Sequence, residues 1–295
     1  MLYRSLPNFD YQEPATVAEA GEMITAANGG GAILAGGLGL LVEMKRRWKM
    51  PKRVVSLQRI PSLKFVAAEG DGQVLIGAMT TIREAESDSL VRSYGALSDA
   101  LGVIHSLQVK QSGTLVGNVC VGTPASDILA ALIVHGAYLR VARGDQVVRI
   151  DLDCLCEDAK KTCLRPTDVV TEIVLPAQQE GSYSSYLNLS RTKGDIAKVG
   201  VGVSLTLADD GLCTHAVISL GAVAPTVIRP GEAERLLRGS RVDPATVAAV
   251  ADAAYTDPQV RPVDDIRSTA QYRREMVRVL VRRSLEATLR KAALN

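Results

Sequence analysis

At 295 residues the chain is long enough for two domains of roughly 150 residues each, and its 47% hydrophobic and 22% charged content excludes a globally disordered or fibrous protein. Thirty-four Lys and Arg against 32 Asp and Glu leave a net charge of +2, and aromatics make up only 4%, which excludes a dedicated nucleic-acid surface or base-stacking platform. The longest uncharged apolar stretch, 128–139, is shorter than the roughly 20 residues of a membrane span. Residues 1–10 carry no apolar h-region, which predicts a chain without a signal peptide. Five cysteines are an odd number, and Cys154 and Cys156 flank only Leu155, too close for an unstrained bridge. The expectation is a cytoplasmic protein with reduced thiols.

In chain order, Pro14, Thr16 and Glu19 mark a helix start, with Val17, Ala20, Met23 and Ile24 on one face. The helix stops at Asn28-Gly29-Gly30-Gly31. A strand over 32–35, the turn Gly36-Gly37-Leu38-Gly39, a helix over 40–47 and a strand over 53–57 follow, the order of a small α/β unit. Two strands flank Gly70-Asp71-Gly72 between 63 and 78. Thr81 and Glu84 form a second capping box, and helical periodicity covers 96–104. Segment 113–120 reads as too irregular for a plain helix. Ser126 and Asp127 are good caps for an apolar helix over 128–135. A hairpin over 138–142 and 147–150 turns at Gly144-Asp145, and another strand spans 169–175. The polar stretch 177–185 reads as a linker. Beyond it, strands over 199–208 and 213–224 form an antiparallel meander, followed by helices over 232–237, 244–254 and 268–294. The last carries Arg273, Arg274, Arg278, Arg282, Arg283, Arg290 and Lys291, read as a solvated face with cations suited to a helix C-terminus.

Little in the sequence points to hydrolysis or zinc chemistry. The three histidines, His105, His135 and His215, sit beside no nucleophile motif, and no zinc-ligand spacing is present. His135 reads as a core or helix-end residue. The turn at Ala35-Gly36-Gly37 links a strand to a helix, where backbone N–H groups favour anions. A second segment, Gly113-Thr114-Leu115-Val116-Gly117-Asn118, offers hydroxyl, amide and backbone donors. Two such loops in one half of the chain suit a dinucleotide with its two phosphates.

Ala35-Gly36-Gly37 with residues 40–45, Pro51, Val55, Ile60-Pro61 and Leu63 resembles the opening of the FAD-binding medium subunit of molybdenum hydroxylases, the xanthine dehydrogenase and carbon monoxide dehydrogenase relatives. The resemblance continues through residues 113–118 and 123–127, then Lys161-Thr162, Leu164, Pro166 and 171–176. Ser190-Arg191 with 195–199, residues 262–267 and Tyr272-Arg273-Arg274 are similar to the family's C-terminal domain. The motifs run in the family's order over nearly the whole chain.

The resemblance implies an α+β protein. An FAD-binding domain of vanillyl-alcohol-oxidase type would span 1–176, in two α/β subdomains of about 1–57 and 58–176. A C-terminal domain of antiparallel sheet and helices would span 183–295. Ile33, Leu34, Ala35, Gly36, Gly37, Leu38, Gly39 and Leu40 would wrap the FAD pyrophosphate. Thr114, Gly117 and Asn118 would contact the flavin side, Ser126 and Asp127 the ribityl or phosphate side, and Ile104 and Val170 would flank the isoalloxazine. The chain departs from the family turn A-G-G-T-D at Leu38 and Gly39, and Val116 replaces a glycine. Cys120, Cys154, Cys156 and Cys163 read as ordinary thiols rather than ligands of an extra iron–sulfur cluster. The implied function is an electron-transfer subunit between a small [2Fe–2S] subunit and an external acceptor. Substrate would be oxidised on a large molybdopterin-binding subunit, in a dimer of heterotrimers. A self-contained flavin oxidoreductase and a flavin-free scaffold of the same assembly are the alternative readings.

Overall fold

A computed structural model describes residues 5–104, 106–192 and 194–294; His105 lies outside the described residues. The first unit is a small parallel sheet in the order β1–β3–β2, formed by β1 (Asp10–Gln12), β2 (Gly31–Leu34) and β3 (Arg53–Ser56). Helix α1 (Val17–Thr25) precedes β2, and α2 (Leu38–Lys45) links β2 to β3. Thr16 caps α1 by accepting from the Glu19 N–H. The Glu19 carboxylate reaches past it to the Ala15 N–H at 2.8 Å, so the two caps are interlocked.

The second unit is a five-stranded antiparallel sheet in the order β4–β5–β10–β6–β7. Its strands are β4 (Val66–Ala68), β5 (Val74–Gly77), β6 (Tyr138–Arg143), β7 (Gln146–Asp151) and β10 (Val169–Leu175), while a small ribbon pairs β8 (Cys156–Asp158) with β9 (Lys161–Thr162). Between β5 and β6 come six short helices: α3 (Ile82–Ser87), α4 (Ser89–Arg92), α5 (Gly95–Val103), α6 (Leu107–Ser112), α7 (Leu115–Cys120) and α8 (Asp127–Ile133). Thr81 and Glu84 form the full reciprocal capping box. Segment 113–120, expected to be irregular, contains α7. Thr114 caps it through Gly117 N, and Leu115, Val116 and Val119 are buried, so tertiary burial stabilises a turn that propensity alone would not hold.

The third unit is an antiparallel sheet of β11 (Ser182–Leu189), β12 (Val199–Leu207) and β13 (Cys213–Gly221). It is covered by α9 (Gly231–Leu237), α10 (Pro244–Thr256) and α11 (Ala270–Ala293). The second half of the expected linker is therefore strand. Ser184 and Ser185 are buried there because their hydroxyls bond Ala96 N at 2.9 Å and Ser284 O at 2.9 Å. Strand β12 alternates Val and Gly. Val199, Val201, Val203 and Leu205 are 0% exposed and face the helices, each side chain contributing roughly 1.5–3 kcal/mol by burial. The opposite face carries Gly200 and Gly202. A Cβ at Gly202 would lie 3.2 Å from Ala130 O and 3.1 Å from Val134 Cγ1, so glycine lets α8 lie directly on this sheet.

Much of the basic character of α11 is internal. Arg273, 4% exposed, donates to Lys198 O, Ala222 O and Asp265, and Arg274 donates to Tyr255 O and Val260 O. Arg282, Arg283 and Arg290 are exposed, as a solvated face requires. Among the described residues no helix is long and apolar enough to cross a membrane.

Candidate cofactor site

Strand β2 ends at Leu34 and the chain turns through Ala35-Gly36-Gly37 into α2. Gly37 takes a left-handed φ of +76° as the N-cap, with no side-chain cap bond, a conformation that costs glycine nothing. The first helical bond is Leu41 N to Gly37 O at 3.0 Å, so the N–H groups of Leu38, Gly39 and Leu40 form the open end of the helix. Gly36 is held for a different reason. A Cβ there would sit 2.2 Å from Ser112 O, 2.9 Å from Gly113 Cα and 3.0 Å from Thr114 N. The first glycine turn is thus pressed against the backbone of the second.

That second loop is pinned on its other side. Ile82 N donates to Gly113 O at 2.8 Å and Leu115 N to Thr80 O at 3.2 Å. The Thr114 hydroxyl accepts from Gly117 N at 3.1 Å. A Cβ at Gly117 would lie 2.7 Å from Thr114 Oγ1 and 4.0 Å from Ala35 Cβ. Val116, where the resemblance implies glycine, is 3% exposed and turns into the core, so its bulk does not enter the loop's open face. Leu38, 41% exposed, packs over Gly113.

The two loops form one wall of a cavity of about 700 Å³, lined by Leu34, Ala35, Gly36, Gly37 and Thr114 among others, a size common for small-molecule and cofactor sites. Gln58, Arg59, Lys64, Gln111 and Ser112 also line it and were not singled out in the sequence. The signal for Arg59 was its place just before Ile60-Pro61. The Arg59 guanidinium pairs with Glu13 at 3.1 Å and Lys64 with Glu84 at 2.9 Å, both cations being largely exposed. Burial alone raises the Glu84 carboxyl, but the bonds from Lys64 and Thr81 outweigh it and hold the group below its ordinary value.

Other expected residues are not among those that line this cavity. Ile104 and Val170 are 4% and 8% exposed and belong to the core. Asn118 Oδ1 accepts from the Ser126 hydroxyl at 2.8 Å, and the same hydroxyl accepts from Leu129 N at 3.1 Å to cap α8. Asp127 Oδ1 accepts from Tyr186 OH at 2.6 Å and Asn188 Nδ2 at 2.8 Å. Burial, reinforced by the Asp127 charge, raises the Tyr186 hydroxyl well above its ordinary value, so it stays a donor.

All five cysteines are free. Burial, with Cys156 beside it, pushes the Cys120 thiol up to about 12. Among the described residues no three Cys, His, Asp or Glu side chains are grouped to hold a metal ion. His135 stacks edge-on against Tyr94 at 5.1 Å and lies 3.5 Å from the Ser184 hydroxyl. Burial lowers its pKa to about 3, with Lys291 adding to the effect, so the ring is neutral and structural.

A parallel unit whose glycine turn opens a helix, closed by a second glycine loop from an antiparallel sheet, defines a dinucleotide-cofactor protein of α+β architecture. The family described as the FAD binding domain in molybdopterin dehydrogenase matches residues 7–178, and the CO dehydrogenase flavoprotein C-terminal domain matches 184–288. The carbon monoxide dehydrogenase medium chain of Hydrogenophaga pseudoflava is 31% identical over 97% of this chain and 99% of its own. The 6-hydroxypseudooxynicotine dehydrogenase complex subunit alpha of Paenarthrobacter nicotinovorans is 28% identical over 97% and 96%. A solved structure of the H. pseudoflava carbon monoxide dehydrogenase superimposes with a TM-score of 0.92 at 32% identity, covering 97% of this chain and 98% of the other. The chain belongs to the family of FAD-binding medium subunits of molybdenum hydroxylases, as an oxidoreductase component with FAD as its cofactor.

The residues present fit that cofactor. Gly36 lets the two loops close on one another, Gly37 leaves an uncapped helix start, and Arg59 and Lys64 line the cavity as cations paired with Glu13 and Glu84. The open helix start is the feature that favours a phosphate group.

Proposed function

We propose that this chain is the electron-transfer flavoprotein of a molybdenum hydroxylase, relaying electrons from a small [2Fe–2S] subunit to an external acceptor. In this reading substrate is oxidised on a large molybdopterin-binding subunit, the assembly is a dimer of heterotrimers, and it works in the cytoplasm with its thiols reduced. The FAD-binding domain spans 1–176 and the C-terminal domain 183–295. FAD, when bound, supplies a ring system that accepts and releases electrons singly or in pairs.

The protein's part is to bind and orient. Ile33 to Leu40 wrap the pyrophosphate, with the open N–H groups of Leu38, Gly39 and Leu40 directed to it. Thr114, Gly117 and Asn118 face the flavin side, and Ile104 and Val170 provide apolar backing. Ser126 and Asp127 stand behind Asn118, their side chains engaged with Asn118, Tyr186 and Asn188. The observation that carries the reading is the closure of Gly36 on the Ser112–Thr114 backbone, which makes two sequence-distant glycine loops into one cradle.

The test is made on the purified multi-subunit complex, its iron–sulfur clusters reduced with limiting dithionite. Stripping FAD is expected to slow reoxidation by NAD or a quinone at least about tenfold, with recovery on adding FAD. Equal reoxidation with and without FAD would contradict the relay.

A further inference from the structure

The flavin loop is tied to a strand of the C-terminal sheet by hydrogen bonds to two adjacent residues, Ser126 on one side and Asp127 on the other. Tyr186 and Asn188 lie two residues apart on β11, so they project from the same face. Both donate to one oxygen of Asp127, at 2.6 and 2.8 Å. Asp127 is the first residue of α8, directly after its cap Ser126. The Ser126 hydroxyl, 5% exposed, accepts from Leu129 N and therefore directs its own hydrogen to Asn118 Oδ1 at 2.8 Å. With Oδ1 turned to Ser126, the other side of the Asn118 amide carries Nδ2, a pure donor. Asn118 follows Gly117, whose Cβ position lies 4.0 Å from Ala35 Cβ of the first turn.

We infer that Tyr186 and Asn188 are positioning residues for FAD: by fixing Asp127 they set Ser126, and Ser126 orients the Asn118 amide with its donor side toward the cofactor. This rests on the FAD reading of the two loops. Three features show that the arrangement is specifically built. Tyr186 is 2% exposed. A Cβ at Gly200 would lie 2.2 Å from its hydroxyl, so glycine on β12 makes room for that oxygen. The backbone of Tyr186 is itself anchored, its N–H donating to Asp99 Oδ2 at 3.0 Å while Lys291 holds the same oxygen at 2.8 Å. Helix α7 has only six residues, too few to hold Asn118 rigidly unaided. A cofactor donor misplaced by more than about 0.5 Å loses much of its value.

The inference separates a positioning role from plain stabilisation, because Tyr94 is an equally buried tyrosine whose hydroxyl bonds Pro176 O at 2.8 Å. None of the hydrogen bonds of Tyr94 leads to Asn118. FAD is titrated into the full-length chain, stripped of cofactor, and flavin fluorescence is followed. Tyr186→Phe and Ser126→Ala are expected to raise the Kd for FAD by about 3–10-fold, the range set by losing one hydrogen bond. Ser126→Thr, which keeps the hydroxyl, and Tyr94→Phe are expected to bind as the wild type does, although Tyr94→Phe lowers Tm. If Tyr186→Phe does not fold, Asn188→Ala gives the same reading from the half-buried end of the pair. Wild-type affinity in Tyr186→Phe, Asn188→Ala and Ser126→Ala would overturn the inference alone. A wild-type chain that takes up no FAD would overturn the cofactor reading and this inference with it.

Discussion

Gly36→Ala tests the cradle most severely. The added Cβ would sit 2.2 Å from Ser112 O, 2.9 Å from Gly113 Cα and 3.0 Å from Thr114 N. Ordinary contacts of carbon lie near 3.5–4.0 Å, so the loops must part by about 1 Å. The three atoms are backbone, and their loop is tied to Thr80 and Ile82, so no side chain can swing aside. Overpacking of this kind costs about 1–3 kcal/mol. Expressed as lost cofactor affinity at 1.4 kcal/mol per decade, that is about a 5- to 150-fold rise in Kd. The assay is FAD titration of the full chain, with circular dichroism and Tm to confirm folding. Gly21→Ala, inside α1 and away from both loops, is the control: its Cβ would meet nothing within 4 Å, and it should bind FAD as the wild type does. A folded Gly36→Ala chain with wild-type affinity would refute the reasoning.

Further predictions concern the framework. Arg143 holds Asp168, whose side chain is 0% exposed, by bonds of 2.8 and 2.7 Å. Arg143→Ala leaves that carboxylate with only the Arg165 N–H and should lower the urea midpoint, clearly more than Arg235→Ala, in an exposed pair with Glu232, does. His135 titrates near 3 in the fold against an ordinary value of 6.5. The unfolded chain therefore binds the extra proton between those values, and stability falls as pH is lowered through that window. His135→Gln should show a shallower fall of Tm between pH 6 and 4; an unchanged slope would exclude His135 as the cause. The Asp153 charge raises the Cys154 thiol and burial raises the other four, so exposure decides, and Cys154 is the exposed cysteine of the five; peptide mapping after brief treatment with a thiol reagent should find Cys154 modified first.

What could be read from the sequence was what local chemistry decides. The caps at Thr16, Thr81 and Ser126 need only the next few residues, and each lies where a hydroxyl can reach the first turn. The turn at Gly36-Gly37 and the loop at 113–118 were both legible as glycine segments. That they touch depends on the packing of α2 against the Ser112–Thr114 backbone, which no local pattern encodes. The polar stretch 177–185 looked like a linker because Ser184 and Ser185 find their hydrogen-bond partners 88 and 99 residues away. The basic α11 looked solvated because the carbonyls that receive Arg273 and Arg274 come from β11–β12, β13 and α10 connections far along the chain. Asp127 was legible as a cap residue, yet its bond to Tyr186 spans 59 residues. Arg59 and Lys64 join the cavity only once the antiparallel sheet is folded beside the parallel one.

The central claim is that this single chain builds an FAD cradle from two glycine loops. Its most direct test is the visible absorption spectrum of the purified chain, followed by heat release and identification of the cofactor. The account predicts flavin bands and one released FAD per chain. A chain that is colourless as purified, and stays colourless after incubation with excess FAD, would contradict it.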